Sequence, residues 1–201
     1  MTAASDQLSG LTFKPLTGQT FPDLDQLFSM KGCSFARGCW CIEYRVRGKI
    51  KPPDGVGAND HKRALLRKLA SDDIAPGLIA YDQTSAPVGW VTLGPRETFA
   101  RVQASRVMKP VDDTPTWCIV CFVVPSPYRG TGVAHRLLHA AVDYAREHGA
   151  KAVEGYPLDK AERTQAQWLW HGTASMFAKA GFQEIARRSE QRPVMRLTLD
   201  A

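Results

Sequence analysis

The most informative segment of the sequence runs from Arg129 to Ala134 and reads RGTGVA. Glycines let successive backbone N–H groups approach a ligand without interference from a Cβ atom. The first turn of a helix also carries unpaired N–H groups and the positive end of the helix dipole. This segment therefore predicts a binding site for a phosphate or pyrophosphate group, to which the Arg129 guanidinium adds a charged donor.

Two ligand classes that use such a site match the sequence only in part or not at all. A P-loop requires Gly-x4-Gly-Lys-Ser/Thr, and the sequence lacks that pattern. The dinucleotide fingerprint Gly-x-Gly-x-x-Gly is met by Gly130 and Gly132, but His135 occupies the position of its third glycine. Glu154 follows about 20 residues later, as that fingerprint requires, so this alternative keeps some support. The chain after Glu154 is nevertheless too short for the parallel strands that a dinucleotide-binding fold still needs.

The elements on either side of the segment must position it. Residues 117–124 are uniformly apolar, which predicts a buried strand, and residues 132–147 carry apolar side chains at helical spacing. Residues 151–156 predict the next strand. A strand–helix–strand connection makes the two strands parallel, or splayed from parallel.

The rest of the chain predicts further helices and hairpins, and the whole is therefore a mixed α/β fold. Residues 31–57 are rich in Cys, Gly and Pro and are expected to be irregular, and residues 95–115 are of mixed character. The other expected elements are a strand at 11–16, helices at 21–30 and 61–71, a hairpin at 77–82 and 88–93, a helix at 173–179, and a closing hairpin at 182–187 and 194–199.

This arrangement resembles the GNAT acetyltransferase superfamily, whose acyl-CoA motif is Arg/Gln-x-x-Gly-x-Gly/Ala after a strand that ends in a Val-x-Pro-like turn. Here the motif stands as Arg129-x-x-Gly132-x-Ala134, with FVVP before it and LLHAAVDYARE after it. The sequence AKAGF at 178–182 matches a helix-ending Gly-Phe that the family commonly has. The resemblance covers about residues 75–200. It implies an α/β GNAT fold, in which a mixed central sheet flanked by helices splays between two parallel strands.

The resemblance implies that acetyl-CoA is the co-substrate and that the site needs no metal. Backbone groups of Phe122, Val123 and Val124 would pair with the pantetheine arm like an added strand. The N–H group of Val123 or Val124 would also polarise the thioester carbonyl. The pyrophosphate would be held by Arg129 and by the N–H groups of five consecutive residues: Gly130, Thr131, Gly132, Val133 and Ala134.

The resemblance further implies that an acetyl group moves from acetyl-CoA to a primary amine, expected here on a small molecule. The amine would attack directly, without a covalent enzyme intermediate. Three alternatives stay open: acetylation of a protein amine, acetylation of an aminoacyl-tRNA, and binding of acyl-CoA without catalysis. A tRNA acceptor would use the net positive charge and bind less tightly as salt rises. Dimers are common in the family, so a homodimer also stays open.

The usual proton donor of the family is a tyrosine four residues before the glycine of Gly-Phe, and this chain has Phe177 there. That role cannot be carried over, because phenylalanine has no hydroxyl group. We predict Tyr156, at the end of the second splayed strand, as the substitute donor. Tyr128, on the pyrophosphate turn, is a second choice, and solvent could also protonate the leaving thiolate. Glu154 and Glu97 are the predicted general bases, because a carboxylate aimed into a cleft can relay a proton through water.

The acceptor amine is expected to bind through the N-terminal part of the chain. Trp40 and Trp90 are predicted to form an apolar wall for it. The run GCWCIEYR, residues 38–45, is unusual in composition and lies where the family has its variable acceptor-binding region. We therefore expect this run to shape the acceptor pocket.

Composition indicates the domain count, the compartment and the partners to expect. The chain has 201 residues, 44% of them apolar, which suits one domain over residues 1–201. The apolar run at 117–124 is far shorter than the roughly 20 residues of a membrane-spanning helix. Five cysteines and the lack of a secretory signal predict reduced thiols in a cytoplasmic protein. The net charge of +6 suits cofactor phosphates. No basic run exceeds the pair Arg187–Arg188, so we expect neither a nucleic acid nor a membrane as partner.

Overall fold

The computed structural model describes residues 10–159 and 170–199, and a seven-stranded sheet forms its centre. The strands are β1 (Thr12–Pro15), β2 (Gly77–Tyr81), β3 (Pro87–Pro95), β4 (Trp117–Val123), β5 (Ala152–Gly155), β6 (Gln183–Arg187) and β7 (Pro193–Thr198). They lie in the order β1-β2-β3-β4-β5-β7-β6. β4 and β5 are parallel, and the other neighbouring pairs of this sheet are antiparallel. The predicted mixed sheet with one parallel pair is confirmed.

Six α-helices flank the sheet within the described ranges. They are α1 (Phe21–Ser29), α2 (Ser34–Cys39), α3 (Ala58–Leu69), α4 (Ala100–Gln103), α5 (Val133–Glu147) and α6 (Ala174–Lys179). The spacing of apolar residues predicted α1, α3, α5 and α6 to within a few residues. α2 and α4 were not predicted, because a helix of one or two turns has too few residues to show a helical period.

The sheet is buried on both faces, which explains why β2, β3 and β4 are almost uniformly apolar rather than alternating. One face packs against α5 and α6, through side chains such as Leu137 and Phe177. The other face packs against the N-terminal helices, through side chains such as Phe28 and Trp90. β4 lies at the centre of the sheet and contributes to both clusters, so both layers fix its position.

Candidate active site

A bulge in β4 opens the sheet. The paired residues of β4 and β5 run from Trp117–Val153 to Ile119–Gly155. On the other side of β4, Cys121 faces Thr92 while Ile119 faces Leu93, which leaves Val120 as an extra residue. A bulge of this kind bends the strand and increases its twist. The last residues of β4 therefore diverge from β5, and a gap opens between the two strands.

The turn that follows β4 leads directly into α5. Gly130 and Gly132 have φ angles of 76° and 86°, a left-handed conformation that favours glycine. A Cβ atom at either position would meet no atom within 4 Å, so the space above both glycines is open. The first helical hydrogen bond runs from the N–H of Arg136 to the carbonyl of Gly132 over 3.1 Å. The amides before Arg136 have no partner within the helix, and they face this open space as a group of donors.

Arg129 braces the turn. Its Nε donates to the carbonyl of Val124 at 3.0 Å, and its Nη2 donates to the carbonyl of Gly32 at 2.7 Å. The N–H of Ser126 in turn donates to the carbonyl of Lys31 at 3.0 Å. These bonds fix the turn against the segment that precedes α2. The guanidinium thus adds positive charge beside the open amides while two of its donors hold the backbone in place.

A cavity of about 370 Å³ lies over this turn, and we call it the loop cavity. Seven of the nine residues predicted to bind the co-substrate line it: Phe122, Val124, Arg129, Gly130, Gly132, Val133 and Ala134. The other two, Val123 and Thr131, do not line it. Val123 is fully buried, and the Thr131 hydroxyl donates to the carbonyl of Tyr128 at 2.6 Å.

Backbone direction distinguishes the residues at the end of β4. The N–H of Phe122 points into the gap, where it donates to the carbonyl of Trp170 at 2.6 Å. Successive residues of a strand point their backbone groups to opposite sides. The groups of Val123 therefore face β3, and its carbonyl oxygen lies 3.7 Å from where a Cβ atom of Gly89 would be. The N–H of Val124, one residue further on, faces the gap again.

A second cavity, of about 330 Å³, adjoins the first, and we call it the thiol cavity. Its lining residues are Phe35, Cys39, Cys41, Glu43, Tyr44, Arg101, Cys121 and Trp170. Phe35 and Trp170 line both cavities, and their ring centroids are 5.8 Å apart. Four residues of the run at 38–45 line the thiol cavity, in agreement with the prediction that this run shapes a pocket. The two aromatic rings separate the cavities.

Trp40 and Trp90 do not line either cavity. Trp40 is 6% exposed and packs between Phe21 and Phe28. Trp90 is fully buried, and its indole N–H donates to the Thr92 hydroxyl at 2.9 Å. Both rings belong to the core, and Phe35 and Trp170 provide the aromatic wall beside the gap instead.

Tyr44 and His171 form a pair that sequence reasoning missed. The Tyr44 hydroxyl and the His171 Nε2 share a hydrogen bond of 2.7 Å, although 127 residues separate them in the chain. Burial raises the pKa of Tyr44 to about 12, so its hydroxyl keeps its proton at neutral pH. Burial lowers the pKa of His171 to about 3, so its ring is neutral there. Because Tyr44 lines the thiol cavity, this pair presents a protonated hydroxyl beside the gap.

The neutral state of His171 predicts a dependence of stability on pH. Its pKa of about 3 in the folded protein lies below the unfolded value of about 6.5. The stability that depends on the neutral ring is complete above pH ~6.5 and is lost as the pH falls towards 3. Between pH 7.5 and 4.5 we expect the free energy of unfolding to fall by about 2 kcal/mol more in the wild type than in His171→Gln.

Urea unfolding at the two pH values measures this difference. His61→Gln is the control, because His61 is half-exposed on α3; it should lose as much stability as the wild type. An equal loss in the wild type and in His171→Gln would show that His171 is not held neutral by burial.

Tyr156 and Glu154, predicted from the sequence as acid and base, lie together inside the core, each fully buried. The Tyr156 hydroxyl donates to Glu154 Oε2 at 3.1 Å and lies 3.0 Å from the Cys118 thiol. Glu154 Oε1 accepts from Arg196 at 2.7 Å and from Arg96 at 3.4 Å. Burial raises the pKa of Tyr156 well above its usual value. These contacts tie β5 to β4 and β7 just below the gap, and neither residue lines the loop cavity or the thiol cavity.

Glu154→Gln tests whether this cluster stabilises the fold. Losing the charge removes the carboxylate that pairs with Arg96 and one of the two that pair with Arg196, which keeps Asp112. We expect the free energy of unfolding to fall by about 2 kcal/mol. Chemical denaturation measures this, with Glu97→Gln as the control, since an exposed glutamate should change stability by less than about 0.5 kcal/mol. If Glu154→Gln kept full stability and lost turnover, the predicted role as general base would be supported instead.

Glu97 lies away from the gap. It is exposed and follows β3, whose last residue, Pro95, pairs with Trp117 at the start of β4. The gap opens beyond the opposite end of β4. The structure therefore does not bring Glu97 to the open amides, and Glu97 lines neither the loop cavity nor the thiol cavity.

Phe177 packs closely against Gly155. It is fully buried, and a Cβ atom on Gly155 would lie 2.0 Å from Cε1 and 2.5 Å from Cζ of the ring. The ring also contacts Phe122 and Phe182 edge-on. Only a glycine at position 155 lets the ring come this close to β5.

Neither a metal centre nor a membrane span is found in the described part of the chain. Across residues 10–159 and 170–199, no group of three or more His, Cys, Asp or Glu side chains is placed to hold a metal ion. No helix in those ranges is both long enough and apolar enough to cross a bilayer.

Comparison with known proteins agrees with this geometry. Residues 44–166, more than half of the chain, match the family model described as the acetyltransferase (GNAT) family. No curated protein was found to match the sequence.

Solved structures share the fold at low sequence identity. Arylalkylamine N-acetyltransferase 2 from Aedes aegypti matches with a TM-score of 0.59 and 10% identity, over 96% of this chain and 100% of that chain. A GNAT family acetyltransferase from Listeria monocytogenes 4b F2365 matches with a TM-score of 0.56 and 9% identity, over 94% and 95%. The NatC complex bound to Gag peptide and CoA matches with a TM-score of 0.50 and 16% identity, over 94% and 99%. At these identities the likeness shows the fold alone. Together with the family match over the splayed strands and the glycine turn, it leads to one conclusion: this chain belongs to the GNAT acetyltransferase family.

Proposed function

We propose that this protein is an N-acetyltransferase that moves an acetyl group from acetyl-CoA to the primary amine of a small molecule. The observation that carries the proposal is the group of open amides before Arg136, which faces a cavity that adjoins a second one across the Phe35–Trp170 pair. One cavity suits an anionic co-substrate, and the other suits its acceptor. The gap between the end of β4 and β5 lies where the two cavities meet.

The residues of the loop cavity fit acetyl-CoA. The amides from Gly130 to Ala134 would hold the pyrophosphate, because unpaired N–H groups and a helix N-terminus favour anions. Arg129 adds positive charge and keeps the turn rigid. Phe122 and Val124 would flank the pantetheine arm. When bound, acetyl-CoA supplies a thioester, whose carbonyl carbon accepts the amine and whose sulfur leaves.

Val124 is our candidate for polarising the thioester carbonyl. Its N–H faces the gap, while that of Val123 faces β3 and that of Phe122 already donates to Trp170. A backbone donor aimed at the carbonyl oxygen stabilises the negative charge that develops there as the amine nitrogen attacks. Between the two residues that the sequence left open, backbone direction favours Val124.

Tyr44 is our candidate for the hydroxyl that acts on the leaving sulfur. In the transfer a C–N bond forms, the C–S bond breaks, the amine loses a proton and the sulfur gains one. The protonated Tyr44 hydroxyl, held by His171, can donate to the sulfur as its negative charge develops. We assign Tyr156 and Glu154 a positioning role, because their hydrogen bonds are made to each other and to core arginines.

The thiol cavity supports a small amine as acceptor. Its volume of about 330 Å³ lies in the range of small-molecule sites. Aromatic rings of Phe35, Tyr44 and Trp170 line it, and their faces attract an ammonium ion. Glu43 also lines it and pairs with Lys62 and Arg101. The five cysteines are all free, which supports a reducing, cytoplasmic location.

The test is release of CoA from acetyl-CoA in the presence of a panel of acceptors. The panel holds small primary amines, a peptide with a free N-terminus and a lysine, and an aminoacyl-tRNA. We expect the fastest turnover with a small amine. Turnover confined to the peptide would contradict the proposed substrate class, and turnover of the tRNA that falls steeply with salt would favour the tRNA alternative.

A second candidate function is binding of acyl-CoA without catalysis. The observation that favours it is Phe177, which stands where the family usually has a tyrosine and which has no hydroxyl group to donate a proton. Binding of acetyl-CoA measured by calorimetry, with no CoA released for any acceptor in the panel, would support this function over the first.

A further inference from the structure

A cavity of about 410 Å³ lies away from the proposed acetyl-transfer site, and we call it the arginine cavity. Gly94 and Pro95 at the end of β3 line it, and they pair with Cys118 and Trp117 at the start of β4. The glycine turn follows the other end of β4. The arginine cavity is therefore separate from the loop cavity, and nothing in the proposed reaction uses it.

The mouth of the arginine cavity is apolar. Leu65 and Leu69 from α3, together with Val46, are half-exposed there, and Ile74 is 37% exposed. Large apolar side chains left at the mouth of a cavity indicate a surface that an apolar ligand can cover.

Arg45 supplies a positive charge at this cavity and makes no ion pair within 4 Å in the described part of the chain. Its guanidinium donates to the Thr98 hydroxyl at 2.8 Å and to the carbonyls of Leu93 at 2.9 Å and Pro76 at 3.3 Å, and it lies 4.2 Å from the centre of the Phe99 ring. These partners are uncharged, and among residues 10–159 and 170–199 the buried Nε has no partner. Burial lowers the pKa of Arg45 to about 10, so it stays protonated at neutral pH. Lys68 also lines the cavity; among the described residues Asp72 is the one acid that does, and its charge acts on Arg45.

We propose that the arginine cavity binds a monocarboxylate with a short apolar chain. Binding there would change the conformation of residues 41–46 and so alter the thiol cavity. The positive charges of Arg45 and Lys68, which both line the cavity, would attract the carboxylate. The chain of the ligand would lie against Leu65, Leu69 and Ile74. This inference goes beyond the acetyl transfer and does not depend on it.

One segment forms the wall between the arginine cavity and the thiol cavity. A ligand bound in the first should therefore affect the second. Ile42, Arg45 and Val46 line the arginine cavity, while Cys41, Glu43 and Tyr44 line the thiol cavity. Two residues in the left-handed region lie where this segment begins: Trp40, just before it, and Cys41, its first residue, have φ angles of 49° and 51°. Non-glycine residues there are strained and are held by surrounding contacts. A ligand that contacts one side of this wall changes the restraints on its other side.

Calorimetric titration with octanoate, without acetyl-CoA, tests the binding. We expect saturable one-to-one binding to the wild type, and binding weakened about tenfold or more by Arg45→Met, which removes the charge. Leu69→Trp should weaken it similarly, because the indole fills the mouth and leaves Arg45 intact. Arg47→Met is the matched control, since Arg47 is exposed and lines none of the three named cavities; it should bind like the wild type. Octylamine, which has the same chain and no carboxylate, should not bind.

Absence of saturable octanoate binding to the wild type would overturn the proposal, and so would wild-type affinity in both Arg45→Met and Leu69→Trp. If Arg45→Met does not fold, as thermal unfolding would reveal, Leu69→Trp decides alone. Communication is tested by the rate at which N-ethylmaleimide labels Cys39, which lines the thiol cavity. We expect octanoate to change this rate in the wild type and not in Leu69→Trp; an unchanged rate in the wild type would exclude the communication. Failure of these tests leaves the acetyl-CoA binding and turnover assays unaffected, so the two proposals fail separately.

Discussion

Gly132→Val is expected to weaken acetyl-CoA binding by about a thousandfold while the protein stays folded. The φ angle of 86° at Gly132 is one that a β-branched residue rarely adopts, so valine would force the turn into another conformation. The amides of Val133 and Ala134 would then no longer converge on one point. Losing two hydrogen bonds to a charged pyrophosphate accounts for a change of this size. Calorimetric titration with acetyl-CoA measures it.

Gly149→Val is a matched control for this variant. Gly149 has a φ angle of 76° and, like Gly132, has no atom within 4 Å of where a Cβ would lie. It follows the C-terminal end of α5, whereas Gly132 precedes the N-terminal end. Both variants should therefore lose similar stability, and only Gly132→Val should lose binding. Equal affinities for acetyl-CoA in the two variants would show that the glycine turn is not the pyrophosphate site.

The sequence predicted those parts of the fold whose signal is local. α5 has four turns with apolar side chains on one face, and β4 is apolar throughout, so both could be located from short windows. The bulge at Val120 could not, because it depends on the register between β4 and β3. The glycine turn was predicted for the same reason as α5: its donors are consecutive in the chain.

The proposed catalytic groups show where local reasoning ends. Glu154 follows the pattern of a base near a cleft, but its partners Arg96 and Arg196 are distant in sequence and come together only when β5 pairs with β7. The pairing of Tyr44 with His171 likewise spans most of the chain. No spacing rule connects them, and the only hint was the unusual composition of the run that contains Tyr44.

Removing the Tyr44 hydroxyl is expected to affect turnover and not co-substrate binding. In Tyr44→Phe we expect kcat to fall by about a thousandfold, within the range for loss of a group that acts on a proton in the transition state. The affinity for acetyl-CoA should change little, because Tyr44 does not line the loop cavity. The measurement is kcat and KM for the best amine of the panel, with the acetyl-CoA affinity determined separately.

Tyr156→Phe separates this assignment from the one that the sequence suggested. Its hydroxyl contacts Glu154 and Cys118 in the core, so its loss should lower stability and change kcat by only a few-fold. If kcat instead fell about a thousandfold in Tyr156→Phe and stayed unchanged in Tyr44→Phe, Tyr156 would be the proton donor. The gap would then have to open deeper towards β5 than it does here. If both variants kept full turnover, the leaving thiolate would take its proton from solvent, which a free thiol pKa of about 8.5 allows. The His171→Gln variant distinguishes a positioning role of His171 from a purely structural one. It should lower kcat only if Tyr44 takes part in the reaction.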